Sequence, residues 1–301
     1  VGTIEFQVVS FANSVARMGV PVFVMVSGAI FLNPNKEVST KKIWTHTIFR
    51  LIVAYLVWAI AYDAGNMWNA LFVEHSLSRM VNIWLDAPYH FWFIPMIIGL
   101  YTLVPVLRSW LRNAQQKEVQ YLLTLYFLVQ ILRETLRVFF QGETAGYIYD
   151  FWRMDVISNY VGYYILGYYL ATYELSDKVK KGLYAIAFPC VIAGYWVSDP
   201  FMLFTFVPVV ALFTFCGEVF GPGKRQLPGA AEALLSGLAK DTLGIYLMHL
   251  LLVTKVNEIW MEPLTVNLVW KTIIVTLVSF AGSGIITGIL RRIPVVGRYL
   301  V

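Results

Sequence analysis

Charge is what this sequence has least of. Only 14% of its 301 residues are Asp, Glu, Lys or Arg, where a soluble domain carries roughly a quarter. Apolar residues make up 58% of the chain and aromatic ones 16%, and the mean hydropathy is +0.66. That scarcity of charge excludes an ordinary soluble enzyme and points to a polytopic membrane protein. The net charge of +5 does not read as nucleic-acid binding, because Lys- and Arg-rich cytoplasmic loops produce it without any such role. Cysteine is nearly absent as well. Cys190 and Cys216 both lie in apolar runs, without the spacing of a metal site, and their pairing stays open. No metal ligands are expected. There is no phosphate-binding Gly-rich loop, dinucleotide fingerprint, Gly-x-Ser-x-Gly elbow, His-Glu-x-x-His or Asp-rich pair. ATP-driven transport, nicotinamide chemistry and a nucleophilic Ser therefore gain no support. A His acting as general base on a hydroxyl is the simplest chemistry left.

What is present is a series of long apolar runs. They fall at about 12–32, 43–63, 90–107, 119–140, 156–173, 183–198, 201–217, 241–257 and 267–290. The expectation is an all-α, polytopic transmembrane helical bundle with about nine spans. The run at 201–217 comes after Asp199-Pro200 and reads as a tight hairpin with its predecessor. Gly282, Gly284 and Gly288 in the last run suit a close helix contact. In the first run, Arg17-Met-Gly-Val-Pro-Val-Phe-Val-Met-Val-Ser-Gly28 is more than a lipid-facing helix needs. Pro21 frees a backbone carbonyl, and Ser27-Gly28 lets a helix or a ligand come close. A kinked packing helix is the competing reading.

Every second loop is basic: Lys36, Lys41 and Lys42; Arg108, Arg112 and Lys117; Lys178, Lys180 and Lys181; Lys224 and Arg225; Arg291, Arg292 and Arg298. Those loops are expected in the cytoplasm, with the C-terminus, and residue 1 outside. The intervening loops hold Glu74, Asp86, Glu143, Asp150, Asp155, Asp199, Glu258 and Glu262. No signal peptide is visible and the chain begins at Val1, so one further span upstream, ten in the full protein, is expected.

Charges inside spans are expensive and usually functional. Arg133, Glu134 and Arg137 sit within the fourth run. The two arginines share a helix face, and Glu134 is expected to point elsewhere, so the face would need an anionic or polyhydroxylated ligand. An interfacial cluster that snorkels outward is the alternative. His249 lies in mid-span with Tyr246 on the same face; general-base chemistry and a hydrogen-bonded packing role both fit. His90, before Phe91-Trp92, fits an interfacial anchor or a ligand contact. Lys41, Lys42, His46 and Arg50 form a basic mouth that could hold phosphates of a soluble donor, or simply satisfy the cytoplasmic charge bias.

Four segments, in order, resemble acyltransferase family 3 of membrane proteins. Arg17 to Gly28 resembles its second-span signature. Lys41-Lys42 through Arg50 and Trp58 resembles its basic entry to the next span. Phe91-Trp-Phe-Ile-Pro-Met-Ile-Ile-Gly-Leu-Tyr-Thr-Leu-Val-Pro105 resembles its Trp-Phe-headed span, and Ile245-Tyr-Leu-Met-His249 its late Tyr-Leu-x-His element. The likeness is to the O-acetyltransferase branch acting on cell-envelope polysaccharides and lipid-linked sugars. It implies one ten-helix transmembrane domain over residues 1–301, in a bacterial inner membrane among its lipids. It also implies acetyl transfer from cytoplasmic acetyl-CoA, with no permanently bound cofactor, to a sugar hydroxyl. Two departures stand out. The family's first-span His is not found before Arg17, so the main catalytic His is expected upstream of Val1. Thr47 also replaces the first residue of an Arg-x-x-Arg pair that ends at Arg50. On this reading His249 and Tyr246 support catalysis, and Lys41, Lys42, His46, Arg50 and Ser27 receive the donor. Arg17, His90, Trp92, Arg133, Glu134 and Arg137 would contact the acceptor. A secondary transporter or flippase for an anionic or polyhydroxylated substrate is the alternative.

Overall fold

A computed structural model describes residues 3–139, 159–196, 199–221, 223–224, 227–262 and 266–301. The expected runs at 119–140, 156–173 and 183–198 reach beyond these residues, and Glu143, Asp150, Asp155 and Arg225 lie outside them. Among the described residues the chain is helical, without strands. In order the helices are α1 (Ile4–Ala16), α2 (Gly19–Phe31), α3 (Phe49–Tyr62), α4 (Ala64–Phe72), α5 (Leu77–Leu85), α6 (Phe93–Leu111), α7 (Gln116–Tyr126), α8 (Arg133–Phe139), α9 (Tyr160–Thr172), α10 (Asp177–Ala193), α11 (Leu203–Phe220), α12 (Gly229–Val256), α13 (Leu268–Leu290) and α14 (Pro294–Tyr299). Among the described residues five stretches are long and apolar enough to cross a membrane: Ile4–Phe31, Thr40–Tyr62, Tyr89–Leu111, Leu203–Phe220 and Leu268–Leu290. Five of the nine expected runs fall in them. The other four are also helical where described, but shorter or more charged.

Local sequence explains the breaks. Pro21 has no N–H to give the Arg17 carbonyl, and the first span is interrupted at Arg17-Met18, just before it. Side-chain oxygens of Ser39, Ser76 and Ser176 cap the helices that start after them. Wide π turns interrupt otherwise continuous helix at Ile43–Ile48 and Phe127–Leu132, and a third, Asn257–Met261, follows the end of the helix at Val256. Such turns re-aim the side chains around them and are frequent at functional sites. The first carries His46 and the second leads into Arg133.

The helices gather into two compact units, both assembled from distant parts of the chain. The first comprises Val1–Val38 and Leu103–Gln226; the second comprises Ser39–Thr102 and Leu227–Val301. In the first unit α2 and α9 lie backbone against backbone. A Cβ at Gly28 would overlap the Tyr164 carbonyl, and one at Gly167 would overlap the Met25 carbonyl. Small residues exist at such crossings to permit this approach. The expected hairpin is present: α10 and α11 pack together, and Glu218 accepts from Tyr184 Oη at 2.6 Å and pairs with Lys180 at 2.8 Å. In the second unit α12 packs along α13. Of the three glycines in α13, Gly282 and Gly284 meet Leu252 and Ile245, while Gly288 meets open space. A core of Ala54, Ala59, Phe91, Ile94 and Leu247 joins α3, α6 and α12.

Candidate active site

The second unit brings four ring side chains from three segments to one place. Tyr62 closes α3. Pro88 starts a single 3₁₀ turn, Tyr89–Trp92, that turns His90 and Phe91 inward. Tyr246 and His249 sit one turn apart in α12. The His90 ring lies 5.0 Å from that of His249, 5.5 Å from Tyr246 and 5.7 Å from Tyr62, measured between centroids. His90 is 8% exposed, which removes it from the role of exposed interfacial anchor.

The hydrogen bonds fix much of this cluster. His249 Nδ1 is 2.6 Å from the Tyr246 carbonyl. A carbonyl only accepts, so Nδ1 is the donor in this contact, and in the neutral ring the lone pair then lies on Nε2. Tyr246 Oη donates to the His90 carbonyl. Tyr62 Oη donates to the Leu247 carbonyl at 2.8 Å and accepts from Leu251 N–H at 3.2 Å. Those two backbone groups are four residues apart, the spacing of a bond within an α-helix. The Tyr62 hydroxyl thus bonds two backbone groups of the turn that carries His249. Neither ring nitrogen of His90 makes a hydrogen bond of normal geometry among the described residues. The Leu247 carbonyl lies near that ring and already accepts from Tyr62. A buried polar group left unmade costs about 1–3 kcal/mol, so an unused His90 would be a burden on the fold. The pair of histidines can take and give protons, and aromatic rings pack around the buried His90.

The remaining expected residues divide between the units. Lys41, Lys42 and His46 are exposed in the second unit, on the lead-in to α3. Arg50 is half-buried, and its guanidinium donates to the Val301 carbonyl. Trp58 Nε1 donates to the Leu300 carbonyl at 2.9 Å. Arg50 therefore also holds the segment after α14. Trp92 is 47% exposed in the same unit.

Arg17, Ser27, Arg133, Glu134 and Arg137 belong to the first unit. There the structure corrects one expectation and decides between the two alternatives left open at another. Glu134 does not point away from the arginines: it pairs with Arg133 at 3.0 Å and with Arg137 at 3.3 Å. The π turn before Arg133 and the burial of Arg133 and Glu134 explain this. Arg133 also approaches Gln130 at 3.4 Å. Gly28 is not open to a ligand either, because the Tyr164 backbone fills the space beside it; Ser27 is buried next to it. Arg108, which in sequence reads as a loop charge, is 5% exposed and donates to the carbonyls of Phe31, Asn33 and Lys36. It caps the C-terminus of α2, where a cation meets carbonyls left over by the helix. Sequence alone does not single out Tyr62. Its one signal is a polar ring ending an apolar run. Cys190 and Cys216 are free thiols, and no three His, Cys, Asp or Glu among the described residues lie close enough to hold a metal ion.

Described residues that are helical throughout, five stretches among them long and apolar enough to cross a membrane, and a buried histidine packed against a half-buried one define a membrane-embedded protein with acid–base capacity. Residues 1–288 match the family model described as an acyltransferase domain, and the chain belongs to that family, acyltransferase family 3. It is an integral membrane acyltransferase, transferring groups other than amino-acyl groups. No curated protein and no solved structure matches it. The match runs across both units.

Proposed function

We propose that the protein is an O-acetyltransferase of a bacterial inner membrane. It would move acetyl from cytoplasmic acetyl-CoA to a hydroxyl of a cell-envelope sugar or lipid-linked glycan. In this reading the chain crosses the membrane about nine times, with its C-terminus in the cytoplasm, as the alternation of basic loops suggests. Lys41, Lys42, His46 and Arg50 receive the CoA phosphates through charge-assisted hydrogen bonds. The single observation that carries the chemistry is the His249 tautomer: Nδ1 is held by the Tyr246 carbonyl, so Nε2 is free to act as a base. His249 Nε2 takes the proton of the acceptor hydroxyl as its oxygen attacks the thioester carbonyl. The C–S bond then breaks, and the proton passes from His249 to the CoA thiolate. His90 hydrogen-bonds the reacting carbonyl oxygen as negative charge builds on it. By sequence Arg133 and Arg137 are natural holders of an acceptor anion, but they share Glu134; together the three carry one net positive charge, a weaker lure than two free arginines.

The test is transfer of label from radioactive acetyl-CoA, supplied at the cytoplasmic face of membrane vesicles, into envelope glycan. Labelled, base-labile ester that disappears in His249→Gln is the expected result. Glycan modification that proceeds without acetyl-CoA overturns the reading.

A further inference from the structure

The link between two of the membrane-crossing stretches, Thr40–Tyr62 and Tyr89–Leu111, is neither a span nor a plain loop. It is the helical hairpin α4–α5. Each helix has nine residues, about 13 Å of rise, less than half the ~30 Å core of a bilayer. Both helices are amphipathic in the same way. In α4, Asn66, Asn69 and Gly65 form one face; Met67, Trp68, Ala70, Leu71 and Phe72 form the other. In α5, Ser78, Arg79 and Asn82 oppose Leu77, Met80, Val81, Ile83, Trp84 and Leu85.

The protein covers only part of each apolar face. Met67, Ala70 and Ile83 form a small core with Ile60, Met80 and Trp84. The rest is bare: Trp68, Leu71 and Phe72 at i, i+3 and i+4 in α4, and Leu77, Val81 and Leu85 at i, i+4 and i+8 in α5, from 38% to 77% exposed. The Trp68 and Phe72 rings lie 4.4 Å apart and widen this surface. An ion pair sits at the hairpin's tip, where Arg79 pairs with Glu74 at 2.7 Å, and Asp63 and Asp86 flank its two ends.

We propose that the bare faces of α4 and α5 lie in the bilayer surface, with Trp68, Phe72, Val81 and Leu85 among the upper acyl chains and the Asn–Ser–Arg face toward headgroups and water. The placement rests on continuity. The hairpin joins the adjacent ends of two helices that cross the membrane, so it starts and finishes at one bilayer surface. Its apolar arc is more than a protein core needs and suits an interfacial helix with aromatic and aliphatic anchors. A soluble partner would have to compete with lipid for that surface. Because Tyr55 Oη donates to the Trp84 carbonyl at 2.7 Å, and Trp84 packs against the core around Phe91 and Leu247, the hairpin fixes the depth of the His90–His249 cluster: close to the interface rather than at the midplane.

The test uses the full chain in phosphatidylcholine vesicles. Cys216→Ser removes the exposed native thiol, Cys190 is buried, and Val81→Cys accepts an environment-sensitive fluorophore. Loss of its emission on replacing the lipid with an acyl-chain-brominated one, with or without quenching by aqueous iodide, is the expected result. Quenching by iodide alone would mean a water-facing hairpin, and quenching by neither a covering protein; each overturns the proposal. Trp68→Phe gives an independent reading on an otherwise unaltered chain. It removes a bromolipid-quenchable share of the tryptophan emission if Trp68 is in lipid, and leaves that share unchanged if it is not.

Discussion

The two units use their buried ionisable groups differently. In the first unit the buried charges are consumed by structure, although the buried Tyr126 hydroxyl makes no hydrogen bond among the described residues. Glu134 serves both neighbouring arginines, Arg108 is spent on three carbonyls, and Leu203 N–H bonds the Thr135 hydroxyl at 2.8 Å. In the second unit the backbone of the ring cluster is tied down while ring nitrogens stay available: those of His90, which make no hydrogen bond of normal geometry among the described residues, and, by its tautomer, Nε2 of His249. Satisfied buried networks specify a fold. Unsatisfied ones inside a well-packed shell are where a substrate is expected to supply the missing partner. On the proposed reading the His90–His249 cluster of the second unit carries the chemistry, and the buried ion pairs of the first hold the frame.

Substitutions can break this contrast. The largest effect is expected at His249. His249→Gln removes the base but keeps the side-chain length, and transfer should fall by about a hundredfold to ten-thousandfold. The unfolding temperature in detergent should stay near that of wild type. If melting and activity fall together, His249 is a packing residue and the contrast fails. In the first unit the order reverses. Glu134→Ala leaves Arg133 buried without its carboxylate and should cost about 3–5 kcal/mol of stability, read as a lower unfolding temperature. Lost transfer at unchanged stability would instead make the Arg133–Glu134–Arg137 trio a binding site. Gly28→Val drives a side chain into the Tyr164 carbonyl. It should cost about 1–3 kcal/mol, again in melting rather than in chemistry once the folded fraction is counted.

How far the sequence discloses this contrast depends on which physics each residue obeys. Helices and spans are legible because period and length are local properties: the 267–290 run is α13, Leu268–Leu290. The Asp199-Pro200 turn signals the α10–α11 hairpin. His249 and Tyr246 stand out because a His in an apolar run is rare, and their shared face is set by helix geometry. Other features are tertiary. No pattern tells that Tyr62 reaches α12, nearly two hundred residues later, or that His90 turns inward rather than anchoring at a surface. The direction of Glu134 is misread when an ideal helix is assumed across Phe127–Leu132, because the π turn there changes the facing of the residues after it. Gly28 is legible as a close-approach position, but not whether helix or ligand approaches it.

Tyr62 offers a finer cut through the second unit. Tyr62→Phe keeps the ring contacts with His90 and Phe91 and removes only the hydroxyl that bonds the Leu247 carbonyl and the Leu251 N–H. Those two groups are at the spacing of a helix bond and can satisfy each other, so stability should change by no more than about 1 kcal/mol. The turn bearing His249 should shift, and the transfer rate should fall several-fold with the KM for acetyl-CoA unchanged. A rise in KM with an unchanged rate would place Tyr62 in donor binding, and no change in either would leave it as packing alone.

Arg50 is expected to show the smallest effect and separates two uses of one guanidinium. It donates to the Val301 carbonyl beside the bond from Trp58 to Leu300, while Phe49 meets the Tyr299 ring edge-on at 6.1 Å. Those contacts need a directed N–H, and a lysine ammonium can supply one. Phosphate capture by a planar fork is different, because a point charge loses the second of two parallel bonds. Arg50→Lys should therefore keep the fold and weaken acetyl-CoA binding by under about 1 kcal/mol, the scale of a partly exposed ionic contact. That loss should grow smaller as salt is raised. Titration calorimetry at two ionic strengths reads it. Affinity unchanged at low salt would assign Arg50 wholly to holding the segment after α14, and the donor phosphates would then fall to Lys41, Lys42 and His46, which are exposed on the same lead-in to α3.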